Sequence, residues 1–189
     1  TADDIEESTG LTGKTKTYGA FVTNTHSLND KLNINTAIRY NHVQVDNRDT
    51  FNAPGSGASL TGKHHFERFN PSLGLTYQPN KILTAYTSYS ESSRAPTSIE
   101  LGCANPAQPC NLPTQMADDP PLHQVVAKTI EGGVSGKVTK DTSWNMSVYH
   151  ATNHDDIMFV YANASNGLGY FTNVAETTRK GIDVGVKTK

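Results

Sequence analysis

The sequence predicts an all-β chain: about seven antiparallel strands, joined up and down, that form a segment of a transmembrane β-barrel. Three observations carry this reading. Apolar and polar residues alternate over successive stretches, most clearly at residues 32–40 and 69–77, which is the period of a strand with one apolar and one wet face. The connections alternate in length, short then long, as in barrels with short turns on one side of a membrane and long loops on the other. Hydrophobic residues make up only 35% and mean hydropathy is −0.53. No apolar run reaches the roughly 18 residues of a membrane helix, yet a barrel strand crosses with about 9–11 residues, half of them turned inward.

At 189 residues the length allows one large domain or two small ones. With 16 basic and 18 acidic residues and a formal charge of −2, the chain has no basic stripe for a nucleic acid. No signal peptide is visible, and the sequence starts at Thr1 without Met.

The elements follow in order. Residues 1–13 are polar and Gly-containing and read as a loop. A strand is expected over 14–27, with Tyr18, Ala20 and Val22 on one face and Phe21 on the other; which face is buried stays open. Asn29-Asp30 forms a short turn. In the next strand Leu32, Ile34, Thr36, Ile38 and Tyr40 share a face without charge, opposite Asn33, Asn35, Ala37, Arg39 and Asn41. Tyr40 suits an interfacial aromatic girdle. Residues 47–65, with Pro54-Gly55-Ser56-Gly57, read as a long loop. Phe69, Pro71, Leu73, Leu75 and Tyr77 then alternate with Asn70, Ser72, Gly74, Thr76 and Gln78. Pro71 has no N–H to give a ladder, so it belongs near a strand end or a bulge. Residues 78–81 make a short turn, and 82–90 return as a strand whose two faces are similarly apolar.

A second long loop is expected over 91–122, with six prolines and both cysteines. A strand over 124–136 sets Ile130, Gly132 and Val134 against Thr129, Glu131 and Ser135. After a turn at 137–141, Trp144, Met146 and Val148 alternate with Asn145, Ser147 and Tyr149, continuing to Val160 with a bulge near Asn153. An Asn- and Gly-rich loop at 162–169 leads to a last strand with Ile182, Val184 and Val186 against Gly181, Asp183 and Gly185.

Several of these stretches carry a family's motifs: Ile38-Arg39-Tyr40, Phe69-Asn70-Pro71, Tyr89-Ser90-Glu91 through Arg94-Ala95-Pro96 to Glu100-Leu101, Lys128-Thr129-Ile130-Glu131-Gly132-Gly133, Phe171-Thr172-Asn173-Val174, and Thr177 to Ile182. In their order and spacing they resemble the barrel domain of TonB-dependent outer-membrane receptors, over most of residues 14–189. The resemblance implies a 22-stranded barrel blocked by an N-terminal plug. It also implies import of a scarce nutrient, most often a ferric siderophore, energised by a periplasmic partner that grips the plug. Residues 1–189 then form part of one barrel domain, about a third of it, without the plug or the C-terminal strands. The implied partners are outer-membrane lipid, the remaining barrel and plug, the TonB complex through that plug, and a small-molecule ligand; the implied location is the bacterial outer membrane. Two alternatives fit the alternation as well: a soluble antiparallel sandwich or small barrel acting as a binding module, and a general diffusion porin.

No Ser/His/Asp, Cys/His or Gly-rich phosphate-binding arrangement stands out, so no enzyme and no cofactor are expected. Arg39, Glu131 and Asp183 are expected to face the lumen, because a Lys or Arg at the bilayer midplane costs about 2–4 kcal/mol on the lipid face. Arg94, Glu100 and Glu131 match charged positions of the family motifs. They form either a polar network on the barrel wall or toward the plug, or ordinary ion pairs at the loop base. Cys103 and Cys110 in an exported protein read as a local disulfide, the alternative being free thiols. Such a bond would stiffen the loop, for ligand recognition or against proteolysis. His150 and His154 have helical ligand spacing on a strand, which disfavours a metal site with Asp155 and Asp156. His64-His65 and Asp118-Asp119 read as solvated loop residues.

Overall fold

Backbone pairing continues well beyond the alternating stretches. The computed structural model describes residues 10–56, 59–110, 122–163 and 167–188. Among these run seven strands: β1 (Leu11–Asn29), β2 (Leu32–Asp49), β3 (Gly62–Tyr77), β4 (Leu83–Arg94), β5 (Val125–Lys137), β6 (Thr142–Asn163) and β7 (Leu168–Thr188). They form one antiparallel sheet in sequence order. A helical turn, α1 (Ser98–Leu101), lies between β4 and β5. The loop reading of Asp118-Asp119 falls outside the described residues.

The register places every strand's faces. Ile38 pairs with Val22 and Pro71, and Thr36 with Leu73. Leu73 pairs with Tyr89, Tyr89 with Ile130, Val134 with Met146, and Met146 with Val184. One face is therefore apolar across all seven strands. Its band is about nine residues tall in β2 and β3 (32–40 and 69–77), the span a tilted membrane strand needs. Tyr40 and Phe69 meet at one boundary, ring centroids 4.9 Å apart; Tyr77 and Trp144 stand near the other. The strand after residue 82 is settled by this register: Leu83, Ala85, Thr87 and Tyr89 lie on the apolar face, and Thr84, Tyr86, Ser88 and Ser90 on the polar one.

The short turns are closed by side chains. Asn29 Oδ1 accepts from the N–H groups of Lys31 and Leu32, and Asn80 Oδ1 from Ile82 and Leu83. Thr139 Oγ1 accepts from Asp141 and Thr142. These are the local bonds that make Asn and Thr good turn residues.

Several sequence boundaries are corrected. β1 starts at Leu11, inside the expected loop. β2 runs to Asp49 and β3 starts at Gly62, so the loop expected at 47–65 shrinks, and His64 and His65 sit in a strand. His64 stacks on Phe66, and His65 approaches His42. The reason is that above the band the two faces exchange roles, with Val43, Val45 and Phe66 turned inward and His42, Gln44 and Asp46 outward, so the band's pattern does not carry through while the backbone ladder continues. β4 likewise runs on to Arg94, and Lys137 belongs to β5. In β6 the irregularity falls at Asp155, whose φ is 52°, with the register unchanged on either side. The register shift itself comes later, between Tyr161 and Asn163.

Pro71 lies inside β3 rather than at its end, but it marks where a ladder stops. β3 and β4 pair only over residues 72–77 and 85–90, and Pro71 is the next position, without an N–H. Above it, side chains join the strands: Arg68 Nη2 to Glu91 Oε2 at 2.6 Å, and Asn70 Nδ2 to Ser93 Oγ at 3.1 Å.

Tyr86 lies across Gly133 on the polar face. A Cβ at Gly133 would sit 2.6 Å from the Tyr86 ring and 2.9 Å from the Met146 carbonyl oxygen, whereas one at Gly74 meets nothing closer than 3.7 Å. Gly133→Val is therefore expected to cost about 1–3 kcal/mol through overpacking, with Gly74→Ala far milder. Urea midpoints of the full-length protein in lipid vesicles check this. Equal midpoints for the two variants would refute it.

At the loop after β2, Asp49 Oδ1 accepts from the N–H groups of Phe51 and Asn52, and Oδ2 from that of Leu60. Burial pushes this carboxyl up, but the N–H donors and the Asn52 amide outweigh it and bring the pKa to about 2. The loop's tether is thus complete above the ordinary carboxylate pKa and is lost as pH falls through about 2. Amide exchange in residues 50–61 should stay slow at pH 4 in the native protein and speed up in Asp49→Ala at the same pH. Unchanged exchange in the variant would count against the tether.

Candidate functional site: the polar face and its strap

Above the membrane band, the polar face changes character. Val43 and Val45 of β2, Phe66 of β3, Val125 of β5, Ile157 of β6 and Phe171 of β7 gather there with Leu101, Ala104 and Leu122 from the β4–β5 connection. Val45 and Leu101 are fully buried. The connection expected as a bare outer loop thus folds inward as a strap across this face. It reaches both edges of the sheet. Ser98 lies over Gly13 of β1, its carbonyl accepts from Asn47 Nδ2 at 3.4 Å, and Gly102 lies against Leu11 and Leu60. At the other edge the Phe171 N–H donates to the Cys103 carbonyl at 2.6 Å, and Cys110 and Gly169 exchange backbone bonds of 2.7 and 2.9 Å. The sheet must curl toward its polar face for one loop to touch β1 and β7 together, which makes the apolar face convex.

Local chemistry explains the strap's start. Thr97 caps α1: the Glu100 N–H donates to Thr97 Oγ1 and the Thr97 N–H to Glu100 Oε2, a reciprocal box. Arg94 then grips the same carboxylate with both nitrogens, at 2.8 and 3.1 Å, the bidentate geometry suited to a guanidinium. Burial pushes the Glu100 carboxyl up, but Arg94 and the Thr97 groups outweigh it and hold it below the usual carboxylate range. Cys103 and Cys110 are joined, Cα atoms 5.9 Å apart, both almost wholly buried.

The other charged residues singled out from sequence stand on the polar face. Arg39 is on β2, its Nε donating to Asn41 Oδ1 at 2.7 Å. Glu131 on β5 accepts from the Tyr86 hydroxyl of β4. Asp183 on β7 pairs in register with Ser147. The fold brings Arg94 and Glu100 together but keeps Arg39, Glu131 and Asp183 on separate strands. Among the described residues no three His, Cys, Asp or Glu side chains converge as metal ligands.

Under the strap lies a cavity of about 570 Å³, bordered by Thr15, Thr17, Arg39, Asn41, Ser93 and the start of the strap. A second, of about 420 Å³, adjoins it around Phe21, Arg39, Asn70 and Glu91. Sequence reasoning had no access to Asn41, Asn70 or Ser93 as lining residues, since nothing local marks them. Phe21 did leave a signal, a lone large apolar residue opposite Tyr18, Ala20 and Val22.

No curated protein sequence matches this one significantly. Solved structures do. The outer-membrane receptor for alcaligin, FauA, from Bordetella pertussis superposes with a TM-score of 0.65 at 16% identity, over 95% of this chain and 28% of that one. The ferric-catecholate import receptor Fiu from E. coli K12 gives 0.69 at 14%, over 94% and 26%. The copper transporter OprC gives 0.70 at 15%, over 92% and 26%. At such identities these likenesses speak for the fold, and the chain spans about a quarter of each of these proteins. The family described as "TonB dependent receptor-like, beta-barrel" matches residues 4–189. With its open up-and-down sheet and apolar convex band, the chain belongs to the TonB-dependent receptor β-barrel family of the bacterial outer membrane.

Proposed function

We propose that this chain is part of the barrel of a receptor that imports a ferric siderophore across the outer membrane, driven by TonB. The observation that carries the reading is the strap. It folds inward over the polar face and leaves cavities beneath it, as a wall built to meet a solute from inside needs and a lipid-facing loop does not. The convex band is then the lipid face. Arg39, Glu131 and Asp183 line the lumen, where charge stays hydrated, and Arg94 and Glu100 fix the strap's base. The disulfide stiffens the strap. The receptor's plug fills the lumen and carries the contact with TonB. Among the similar structures are receptors for alcaligin and for ferric catecholates, beside a copper transporter, which favours an iron chelate.

Uptake of radiolabelled ferric siderophores by iron-starved cells tests this. Deleting the full-length gene should abolish uptake of one chelate. The intact gene should restore it, and a protonophore should block the restored uptake. Uptake that continues in the deletion strain for every chelate offered, or that resists the protonophore, would sink the reading.

A further inference from the structure

On the convex face, the rows above the aromatic boundary turn from apolar to basic. The register sets Ala20, Tyr40 and Phe69 in one row, then Tyr18, His42 and Glu67, then Lys16, Gln44 and His65, then Lys14, Asp46 and Lys63. Rows on one face lie about 7 Å apart along a strand. With strands tilted by about 40°, each row stands about 5 Å further along the membrane normal. The headgroup zone is about 5–7 Å thick on each side of the hydrocarbon, so the row of Tyr18 and the row of Lys16 span its depth. Long lysine stems let Lys14 and Lys63 reach down to it. All three lysines are exposed, and no carboxylate of the described residues pairs with any of them. The acids beside them are engaged: Asp46 accepts from Gln44 Nε2 with both oxygens at 2.9 Å, and Glu67 Oε1 lies 3.2 Å from His42 Nδ1. Tyr18, His42 and His65 form a chain of rings across the three strands, centroids 6.2 and 6.0 Å apart. In a chain of formal charge −2, these unpaired ammonium groups reverse the sign locally, directly above the apolar band.

We propose that this patch binds the phosphorylated headgroup of an outer-leaflet lipid whose acyl chains run down Val22, Ile38 and Leu73. The phosphate oxygens accept charge-assisted bonds from Lys16 and Lys63, and Lys14 adds to the field. The patch lies on the side of the long connections after β2 and β4, which is the cell exterior for barrels of this kind. A zwitterionic headgroup would bring its own cation to the lysines, and a soluble anion would leave the band beneath them without contact. A lipid that carries phosphate and acyl chains together answers both parts of the surface. The proposal rests on the convex band being the lipid face and not on the identity of the imported cargo.

The test uses the full-length receptor in detergent micelles and native mass spectrometry. The probe is lipid A, a phosphorylated and fatty-acylated disaccharide, beside the same lipid with its phosphates removed. Saturable retention of lipid A is expected, with the dephosphorylated lipid held far more weakly. Lys16→Gln and Lys63→Gln should each weaken retention of lipid A about fivefold, and together about thirtyfold. Lys140→Gln, in the short turn between β5 and β6 at the opposite rim, should leave it unchanged. Excess inorganic phosphate should not displace the lipid, because the acyl chains also lie on the band. The same resistance of each variant to heat unfolding on gels would show that folding is intact. Equal retention of the two lipids, an unaffected double variant, the same loss in Lys140→Gln, or displacement by inorganic phosphate would overturn the patch. Folding into vesicles separates the two claims: a receptor that inserts but shows no preference for the phosphorylated lipid sinks only the patch, whereas one that fails to insert sinks the lipid face and the patch with it.

Discussion

Leu73→Arg should block assembly of the full-length receptor in lipid, while Ser88→Arg should leave it intact. Leu73 lies in the middle of the apolar band, between Thr36 and Tyr89 across the ladder, and is 50% exposed. In water that exposure would be an anomaly, one of a continuous sheet of exposed apolar side chains. Against lipid it costs nothing. An arginine there costs about 2–4 kcal/mol near the midplane, a large part of the stability of a typical folded chain. Ser88 lies on the opposite face, opposite Glu131 in register, where an added guanidinium meets water and a carboxylate. The measurement is the fraction of protein that folds into vesicles, read by protease resistance and gel mobility. Comparable folding of the two variants would mean that the convex face does not meet lipid.

The contrast between these two residues also explains what was legible in the sequence. Where lipid lies on one side and water on the other, period-2 alternation is enforced, so residues 32–40 and 69–77 announced both strand and facing. Residues 82–90 did not, because Tyr86 and Ser88 face a wall whose Gly133 makes room for an aromatic ring. Neighbouring strands, not the local pattern, decide that facing. Above the band lipid no longer enforces the pattern, and the inner face is covered by a strap that lies distant in sequence. His64, His65 and Asn47 therefore carry no strand signal although they are paired.

The strap was hidden for another reason. Pro-rich, polar segments read as exposed loops, and among the described residues of the connection Leu101, Ala104 and Leu122 enter the cluster. Three apolar residues scattered over 22 positions have no periodicity. The family motif around Arg94 and Glu100 marked the strap's anchor without showing that the anchor turns the chain inward. Arg39 was singled out by its face alone. That Phe21 and Asn70 are its neighbours became visible only through the pairing of three strands.

Leu101→Ala is expected to release the strap while leaving the barrel intact. Leu101 is fully buried in the strap's cluster, on a four-residue helical turn that has no stability of its own. Removing a buried leucine side chain costs about 2–5 kcal/mol, with the larger values where the site cannot collapse. Here most of the cavity's walls are strand residues fixed by the ladder, such as Val45, Val125 and Ile157, so little collapse is available. The remaining anchors are modest by comparison: the Arg94–Glu100 pair, half-exposed at its guanidinium, is worth at most about 1 kcal/mol, and the backbone bonds to Gly169 and Phe171 can be replaced by water once the apolar contacts are gone. The disulfide closes only a seven-residue separation, so it holds the strap's own shape and not its place on the sheet. Faster amide exchange is therefore expected across residues 97–110, with residues 32–40 and 69–77 as protected as in the native protein. If exchange accelerated equally in the band, the strap would be integral to the barrel wall; if it did not accelerate in the strap, the cluster would not be what holds it.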